Sequence, residues 1–225
     1  MSSRTTRLIA VILALSAACA RAEDWNAFVV ASDHGDDGVI LELLRESDFQ
    51  TQIGICESIG LRSDPDASAL LSWLLSRFSA TGEYRTDYLL RVAMRSLFDP
   101  SRGDEALRAR LAANAGVVDD MVKHIGRFED PQLKAIIISL PGPDAPDRRR
   151  ALMEIGAEIA DRLRRTDGHL SPPERGLALD YLAVTREIGD RDFLEPCIAI
   201  ARLSRDQDLV RGARQASKLV ADRAR

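Results

Sequence analysis

The dipeptide Asp-Pro recurs at a nearly constant spacing along the chain. It stands at Asp64-Pro65, Asp99-Pro100 and Asp130-Pro131, which are 35 and 31 residues apart. Asp is a favoured N-cap of an α-helix and Pro suits the first helical position, so each dipeptide predicts the start of a helix. A unit of this length cannot bury its apolar side alone, and the spacing therefore predicts a chain of stacked repeats.

The residues before each dipeptide also agree in character. Apolar side chains stand nine and five residues before each Asp, and their separation of four places both on one face of a helix. Gly60 and Gly126 then occupy the same slot. In the order of the repeats, the apolar residues are Ile55 and Ile59, Leu90 and Met94, and Met121 and Ile125.

A second amphipathic helix follows each dipeptide. Its apolar positions in the first unit are matched in the third, whereas Leu107 and Leu111 of the middle unit fall one position late, as though Ser101-Arg102-Gly103 lengthened the turn. A fourth, divergent copy has Phe193 in the Asp slot, and Pro196 predicts that its second helix begins near Asp192. The matching residues of this helix are Leu70, Leu71, Leu74 and Leu75 in the first unit and Ile136, Ile137 and Leu140 in the third. The fourth copy has Val184, Ile188 and Gly189 in the upstream slots, with Ala199 and Ile200 after them.

These patterns predict an all-α protein, an α-solenoid of stacked helical hairpins, with no convincing strand. The region between Leu140 and Ser171 carries the repeat poorly and is predicted to contain one longer helix between two turns. The expected helices are 24–32, 38–47, 49–61, 65–80, 84–98, 103–114, 116–127, 131–140, 147–165, 173–189, 192–203 and 206–223.

The segment from Ile59 to Leu75 reads Ile-Gly-x-x-x-Asp-Pro and then Leu-Leu-x-x-Leu-Leu, and a similar segment starts at Ile125. This junction resembles the short HEAT-like repeats typified by the phycobilin-lyase type, and the resemblance covers about two thirds of the chain after its leader. It implies an α-α superhelix. It implies little about activity, because the family includes scaffolds, inhibitors and a few enzymes. A tetratricopeptide array has a similar period, but its Trp-Leu-Gly-Tyr signature is absent.

The first 22 residues have the order of features of a secretory signal peptide. Arg4 and Arg7 precede an apolar run, and Ala20-Arg21-Ala22 is a small-x-small cleavage site. The run from 8 to 18 is about half of the ~20 residues that a membrane-spanning helix needs, which disfavours an uncleaved anchor. The expected organisation is a signal peptide at 1–22, a HEAT-like domain at 23–225, and a location in the periplasm or outside the cell. A lipoprotein anchored through Cys19 is the lesser possibility.

The charge of the chain after the leader disfavours some partners. From residue 23 onward, 28 basic residues oppose 35 acidic ones, so the net charge is -7. A surface of this sign repels phosphate backbones, and nucleic acid is therefore an unexpected partner. Cleavage would also leave no membrane-spanning segment.

Two cysteines, Cys56 and Cys197, remain after the leader, and they are 141 positions apart. Cysteines in distant units of a stack seldom approach within the ~4.4 to 6.8 Å between Cα atoms that a disulfide requires. Both stand among apolar neighbours. We expect buried free thiols.

No pattern in the sequence identifies a metal or a cofactor. The run from Asp33 to Gly38 resembles the opening of an EF-hand loop, but Gly35 stands at its third position and Leu44 at its twelfth, where a bidentate Glu is needed. A polar helix-capping turn is the simpler interpretation. The three histidines are far apart and lack a second ligand at helical spacing. They are His34, His124 and His169.

Catalytic residues are not identified either. No serine lies in a nucleophile elbow, no Gly-rich phosphate loop is present, and no histidine stands near either cysteine. Acidic pairs at predicted helix starts are explained by capping and by the helix dipole. These pairs are Glu129-Asp130, Asp119-Asp120, and Asp206 with Asp208.

Two surface patterns have more than one interpretation. Two groups of arginines flank the predicted helix 147–165 and form either a basic patch or, preferably, a solvated face with salt bridges. The second pattern is a polar stripe opposite the leucine face of the first repeat, which is either a contact for a partner or plain surface. The residues are Arg148, Arg149, Arg150, Arg162, Arg164 and Arg165 in the first pattern, and Ser68, Ser72 and Ser76 in the second.

The sequence therefore favours an exported module that binds another protein, with no catalytic site and with its binding surface unassigned. The partner and the oligomeric state remain open. An enzyme or ligand-binding protein of HEAT-like lyase type is the alternative, and it requires a deep cavity with convergent polar groups. An envelope-tethered lipoprotein would change the location rather than the mechanism.

Overall fold

A computed structural model describes residues 37–62, 64–81, 84–141, 146–188 and 190–223. Within these ranges the chain forms eleven α-helices and no strand, which confirms the predicted all-α class. The helix expected at 24–32 and the leader lie outside the described residues. The helices are α1 Asp37–Glu46, α2 Phe49–Ser58, α3 Ser68–Thr81, α4 Tyr84–Leu97, α5 Asp104–Ala113, α6 Ala115–Lys123, α7 Pro131–Ser139, α8 Pro146–Arg165, α9 Pro172–Ile188, α10 Leu194–Leu203 and α11 Gln207–Arg223.

The three Asp-Pro dipeptides have different structural roles. Asp130 caps α7 as predicted, because its carboxylate accepts a hydrogen bond from the amide of Gln132 at 2.8 Å. Asp99 caps only a 3-10 turn, Pro100–Arg102, and Gly103, with φ of 93°, leads from this turn into α5. The prediction for Asp64 was wrong, since α3 begins at Ser68 after an irregular segment. The lengthened turn of the middle unit is thus confirmed.

The apolar positions of the repeat point into one core. Each of the six residues nine and five positions before an Asp-Pro dipeptide is fully buried. The corresponding positions of the fourth copy are less protected: Val184 is at the limit of burial and Ile188 is half-buried. Regular helical spacing of the apolar residues therefore predicted the core of the first three units correctly.

The helices contact one another in two rows. In the first row α1 contacts α3, α3 contacts α6, α6 contacts α8, and α8 contacts α10. In the second row α2 contacts α4, α4 contacts α7, α7 contacts α9, and α9 contacts α11. Each pair of consecutive helices supplies one member to each row, and α5 is an additional helix that packs beside α6. Five helical hairpins therefore share apolar surface with their neighbours within the described residues.

Side chains of the following helices hold the segment between α2 and α3. The buried Asn114 side chain accepts a hydrogen bond from the amide of Ala67 and donates one to the carbonyl of Pro65, both at 2.9 Å. Nearer to α2, the amide of Gly60 donates to the Ser96 hydroxyl at 3.1 Å. Buried backbone groups need such partners, and here they come from Ser96 in α4 and from Asn114 in the turn before α6.

No helix among the described residues is both long enough and apolar enough to cross a bilayer.

Candidate functional site

A groove crosses the second row of helices, over α4, α7 and α9. Two adjoining depressions of about 390 and 350 Å³ form it, and they share Arg91, Arg95 and Gln132 as lining residues. At one end the groove reaches α2 at Glu57, and at the other end it reaches α9 at Asp180. The groove therefore spans several helical hairpins.

Helical spacing explains which residues line the groove. Tyr88, Arg91 and Arg95 of α4 stand three and four positions apart, on the side opposite the buried Leu90 and Ala93. On α7 the lining residues recur in the same way. They are Gln132, Ala135, Ile136 and Ser139. The groove thus forms where the non-core faces of neighbouring helices meet.

Two arginines flank a pair of aromatic rings at the α2–α4 end of the groove. The guanidinium of Arg85 lies 5.3 Å from the ring centroid of Phe49, and the centroids of Phe49 and Tyr88 are 5.9 Å apart. The guanidinium of Arg91 lies 4.7 Å from the centroid of Tyr88. Cation–π attraction at these distances stabilises the stack and fixes the orientation of both rings. Arg and Tyr are also the residues that most often dominate protein–protein interfaces.

Buried polar contacts fix α7 relative to α4. The Asp87 carboxylate accepts hydrogen bonds from the amides of Glu129 and Asp130, at 2.9 and 3.2 Å. Burial raises the pKa of Asp87 even though these hydrogen bonds oppose the shift. Arg91 lies 3.1 Å from the Asp130 carboxylate and also bonds to Gln132. The groove floor is therefore held by contacts at the start of α7.

A separate pocket of about 480 Å³ lies between α7, α8 and the start of α9. Phe128, Ile159 and Leu177 form part of its apolar lining. Lys134 is buried in its wall, and its Nζ lies 2.6 Å from the Glu158 carboxylate. Across the pocket, Arg162 and Glu174 form a second ion pair at 2.5 Å.

The Glu158 and Glu174 carboxylates of this pocket are held in ion pairs. Glu174 also accepts hydrogen bonds from the amide and the hydroxyl of Ser171. Burial would raise the pKa of Glu174, but the bonds from Ser171 and Arg162 together lower it. A general base at neutral pH usually has the opposite shift.

The predicted candidates for chemistry are dispersed or occupied by structural contacts. Residues 33 to 36 lie outside the described residues, and Asp37 pairs with Arg62 at 2.6 Å. His124 contacts the Asp120 carbonyl through Nδ1 at 2.7 Å, while His169 is exposed in a turn. His34 is outside the described residues. In the described part of the chain, no three His, Cys, Asp or Glu side chains gather as metal ligands would.

The capping hypothesis for the acidic pairs is correct in part. Asp206 caps α11 by accepting from the amides of Asp208 and Leu209 at 2.8 and 3.2 Å. Asp119 and Asp120, however, lie in the middle of α6 rather than at its start, and Asp120 pairs with Lys123 at 3.4 Å. The helix start predicted at residue 116 lies one residue from the observed start at Ala115, and the acidic pair stands in the second turn of α6, too far along to cap it.

Four of the six arginines at the two ends of α8 form salt bridges, and Arg148 and Arg165 donate to the backbone carbonyls of Ile138 and Asp161. Arg149 pairs with Asp190, Arg150 with Asp147, Arg162 with Glu174, and Arg164 with Asp161, at 2.5 to 2.8 Å. In the serine stripe, Ser68 donates to the Ala113 carbonyl at 3.1 Å and so belongs to an internal contact. Ser72 and Ser76 are exposed.

Both cysteines are buried free thiols, as predicted. Burial, with a smaller contribution from Glu57, raises the pKa of Cys56 to about 12. Burial raises the pKa of Cys197 to about 11, against the opposing contact with Thr185. Since the thiolate is the reactive form, neither side chain is a nucleophile at neutral pH.

Sequence reasoning did not identify the groove residues. Tyr88, Arg91 and Arg95 carried a usable signal, because they occupy the non-core side of a helix whose opposite side is apolar. Their alignment with Gln132 and Asp180 depends on how three helices pack, which no local pattern specifies. Comparisons with family models, with curated proteins and with solved structures find no match to this chain.

Proposed function

We propose that this chain is an exported α-solenoid of HEAT-like hairpins that binds a segment of a partner protein in the groove over α4, α7 and α9. The observation that carries the proposal is the groove itself, which is continuous across three helices through Arg91, Arg95 and Gln132. An open groove of this kind suits an extended polypeptide better than a small molecule.

The solenoid part of the proposal is supported by the order of helix contacts. Successive hairpins add one helix to each of two rows. The recurring apolar slots are buried in all three units, on the second-row helices α2 and α4 and then on the first-row helix α6. Stability in such an array comes from contacts between neighbouring hairpins. The Ile-Gly-x-x-x-Asp-Pro segments at Ile59 and Ile125 support the HEAT-like assignment.

The binding part is supported by the chemistry of the groove lining. Arg91 and Arg95 supply cationic groups, Tyr88 supplies an aromatic surface, and Ile136 and Pro173 supply apolar contact. Arg and Tyr side chains combine apolar area with directed polar contacts, and interfaces are enriched in both. Because Arg91 is already paired with Asp130, a partner segment with an acidic side chain facing Arg95 matches this lining.

Export is supported by the leader at 1–22. Mass spectrometry of the chain isolated from its native cells is expected to find an N-terminus at Glu23. A lipid-modified Cys19 would place the protein on a membrane surface. An intact Met1 would contradict export by cleavage.

Photo-crosslinking from single positions tests the groove. A photoreactive amino acid replaces Arg95, Gln132 or Ser139 in the groove, and Arg164 on α8 or Arg214 on α11 as matched exposed controls. The groove positions are expected to yield one common adduct in native cells, which the controls do not yield. Adducts that form equally from all five positions, or from the controls alone, would contradict the proposal.

Small-molecule binding is a second candidate, favoured by the pocket around Lys134. Its apolar lining and two ion pairs suit a compact amphipathic ligand. The engaged carboxylates give no support to catalysis there. Native mass spectrometry of the chain from its own cells would support this candidate if a small molecule were retained by the wild type and lost from Lys134→Met.

A further inference from the structure

Three arginines from different elements converge on the segment after α2. Arg62 follows the 3-10 turn Ile59–Leu61, Arg102 ends the 3-10 turn Pro100–Arg102, and Arg110 lies in α5. The Arg102 guanidinium donates to the carbonyl of Gly60, and the Arg110 guanidinium donates to the carbonyl of Arg62 at 3.2 Å. Because these two carbonyls are two residues apart, the side chains of Arg102 and Arg110 are anchored to the same short stretch of backbone.

Burial leaves several of their nitrogens without a hydrogen-bond partner. Arg62 is 4% exposed and Arg110 is 8% exposed, whereas Arg102 is partly exposed. Among the described residues, no partner is found for Nε, Nη1 and Nη2 of Arg62, for Nε of Arg102, or for Nη1 of Arg110. Arg62 Nη1 lies beside the Asp37 carboxylate, but the other four donors have no acceptor among the described residues. Most buried polar atoms in proteins have a partner, so four such donors in one cluster indicate a missing acceptor.

The carboxylates near the cluster do not meet this need. Asp37 Oδ1 lies 2.6 Å from Arg62 Nη1, but this ion pair lacks the geometry of a hydrogen bond. Asp66 and Asp99 attract Arg62 and Arg102 electrostatically, yet their oxygens accept from the amides of Ser68 and Ser101. Burial first, and then Arg102 and Arg62, lower the pKa of Arg110, which agrees with three cations held close together.

We propose that Arg62, Arg102 and Arg110 bind one small tetrahedral oxyanion, with the chemistry of inorganic phosphate or sulfate. The planar guanidinium fork matches two oxygens of such an ion, and three forks can share its oxygens. A bound anion also offsets the repulsion between the cations by direct attraction to each of them. The proposal is independent of the partner-binding groove.

The ion has one evident way in. Arg102 lines the depression of about 390 Å³ beside Arg95 and Asp99, whereas Arg62 and Arg110 are buried and do not line it. A free ion can pass a movable arginine side chain more easily than an ion attached to a larger molecule. We therefore expect inorganic phosphate to bind and phenyl phosphate, which carries the same group on a bulky ring, to bind at least tenfold more weakly.

Isothermal titration calorimetry of the chain from Glu23 onward tests the site. The protein is dialysed against phosphate- and sulfate-free buffer, and native mass spectrometry records whether an ion is retained. Inorganic phosphate is then titrated at constant ionic strength in chloride. Arg110→Gln and Arg102→Gln are expected to weaken binding at least tenfold, whereas the exposed Arg108→Gln, on the same helix as Arg110, is expected to change it less than twofold.

One ion per chain, either retained after dialysis or bound saturably, and its loss in the two variants would support the site. If Arg110→Gln fails to fold, Arg102→Gln at the partly exposed position decides the outcome. The proposal is overturned if the wild type neither retains nor binds an ion. It is also overturned if all three variants bind phosphate with the affinity of the wild type. It is overturned as well if phenyl phosphate binds as tightly as phosphate, because this bulky ester would then be binding at an open surface site.

Discussion

The Tyr181 hydroxyl lies so close to Gly156 that a Cβ at position 156 would stand 2.5 Å from the hydroxyl oxygen. Gly156 lies in α8 and Tyr181 lies in α9. The Cβ of Pro196 would lie 2.9 Å from a Cβ added at Gly156. Tyr181 is fully buried, and its hydroxyl has no hydrogen-bond partner among the described residues. The close approach of α8 and α9, the two helices of one hairpin, therefore depends on the absence of a side chain at Gly156.

Gly156→Ala is expected to lower the free energy of unfolding by about 1–3 kcal/mol, since the extra methyl group overpacks this contact. Tyr181→Phe removes an unsatisfied buried hydroxyl and is expected to be neutral or to stabilise by up to about 1 kcal/mol. In the double variant, Tyr181→Phe should restore part of the loss. Urea unfolding followed by circular dichroism measures all three. A stabilised Gly156→Ala variant would show that α8 and α9 do not pack as described.

Gly60 and Gly116 give a matched comparison of two glycines. A Cβ at Gly60 would overlap the backbone carbonyl of Ser96, whereas a Cβ at Gly116 would meet nothing within 4 Å. Gly60→Ala is expected to cost about 1–3 kcal/mol. Gly116→Ala is expected to stabilise by about 0.5–1 kcal/mol, because alanine loses less backbone entropy in a helix. Equal effects of the two substitutions in thermal unfolding would argue against the packing of α2 on α4.

The pH dependence of stability is predicted for Asp206. Its carboxylate bonds to Arg175 and caps α11, and these contacts hold its pKa below the usual value. The folded state thus binds the proton less tightly than the unfolded state. The contribution is fully present above the unfolded pKa and is lost as the pH falls through the lower folded pKa.

Asp206→Ala is therefore expected to cost about 1 kcal/mol at pH 7, as the loss of an N-cap does, and less below about pH 4. Asp206→Asn keeps an oxygen that can cap the helix and should cost less at neutral pH. Urea titrations between pH 7 and pH 2.5 measure the differences. A cost for Asp206→Ala that grew as the pH fell would contradict the predicted sign.

The thiols of Cys56 and Cys197 are expected to resist a soluble disulfide reagent at pH 8. Both are buried, and their pKa values of about 12 and 11 leave little thiolate. In the chain from Glu23 onward, two equivalents of thiol should react with Ellman's reagent in guanidinium chloride. Without the denaturant, fewer than about 0.1 equivalents should react promptly, because the thiols react only in molecules whose helices have opened locally. Prompt reaction of either thiol in native buffer would show that its hairpin is open.

The positions of the helices were easier to predict from the sequence than the residues at which the helices begin and end. Apolar residues at a spacing of four fixed the core positions of α2, α4 and α6, because this spacing places them on one face of a helix. The dipeptide at Asp64 failed as a signal, since Asn114, from a distant part of the chain, holds the following turn. Such a contact leaves no local pattern.

Buried charges were the least predictable feature. Lys134 interrupts an apolar run and has the pattern of a solvated residue, yet it is buried because Glu158 of α8 reaches it. Arg62 and Arg110 are buried for a similar reason, through contacts with a neighbouring unit. The groove was missed for the same cause, since Arg91 and Asp180 come together only through the packing of α4, α7 and α9.

The two-row stack, from which the groove follows, is tested most directly by hydrogen exchange on a chain destabilised at one end. Leu209 of α11 is buried, and Leu209→Ala should cost about 2–5 kcal/mol within its own hairpin. Because neighbouring hairpins carry most of the stability in a stack, exchange is predicted to accelerate in α9, α10 and α11 and to stay unchanged in α2 and α4. An equal acceleration in all of these helices would contradict the account, since it would show one cooperative bundle.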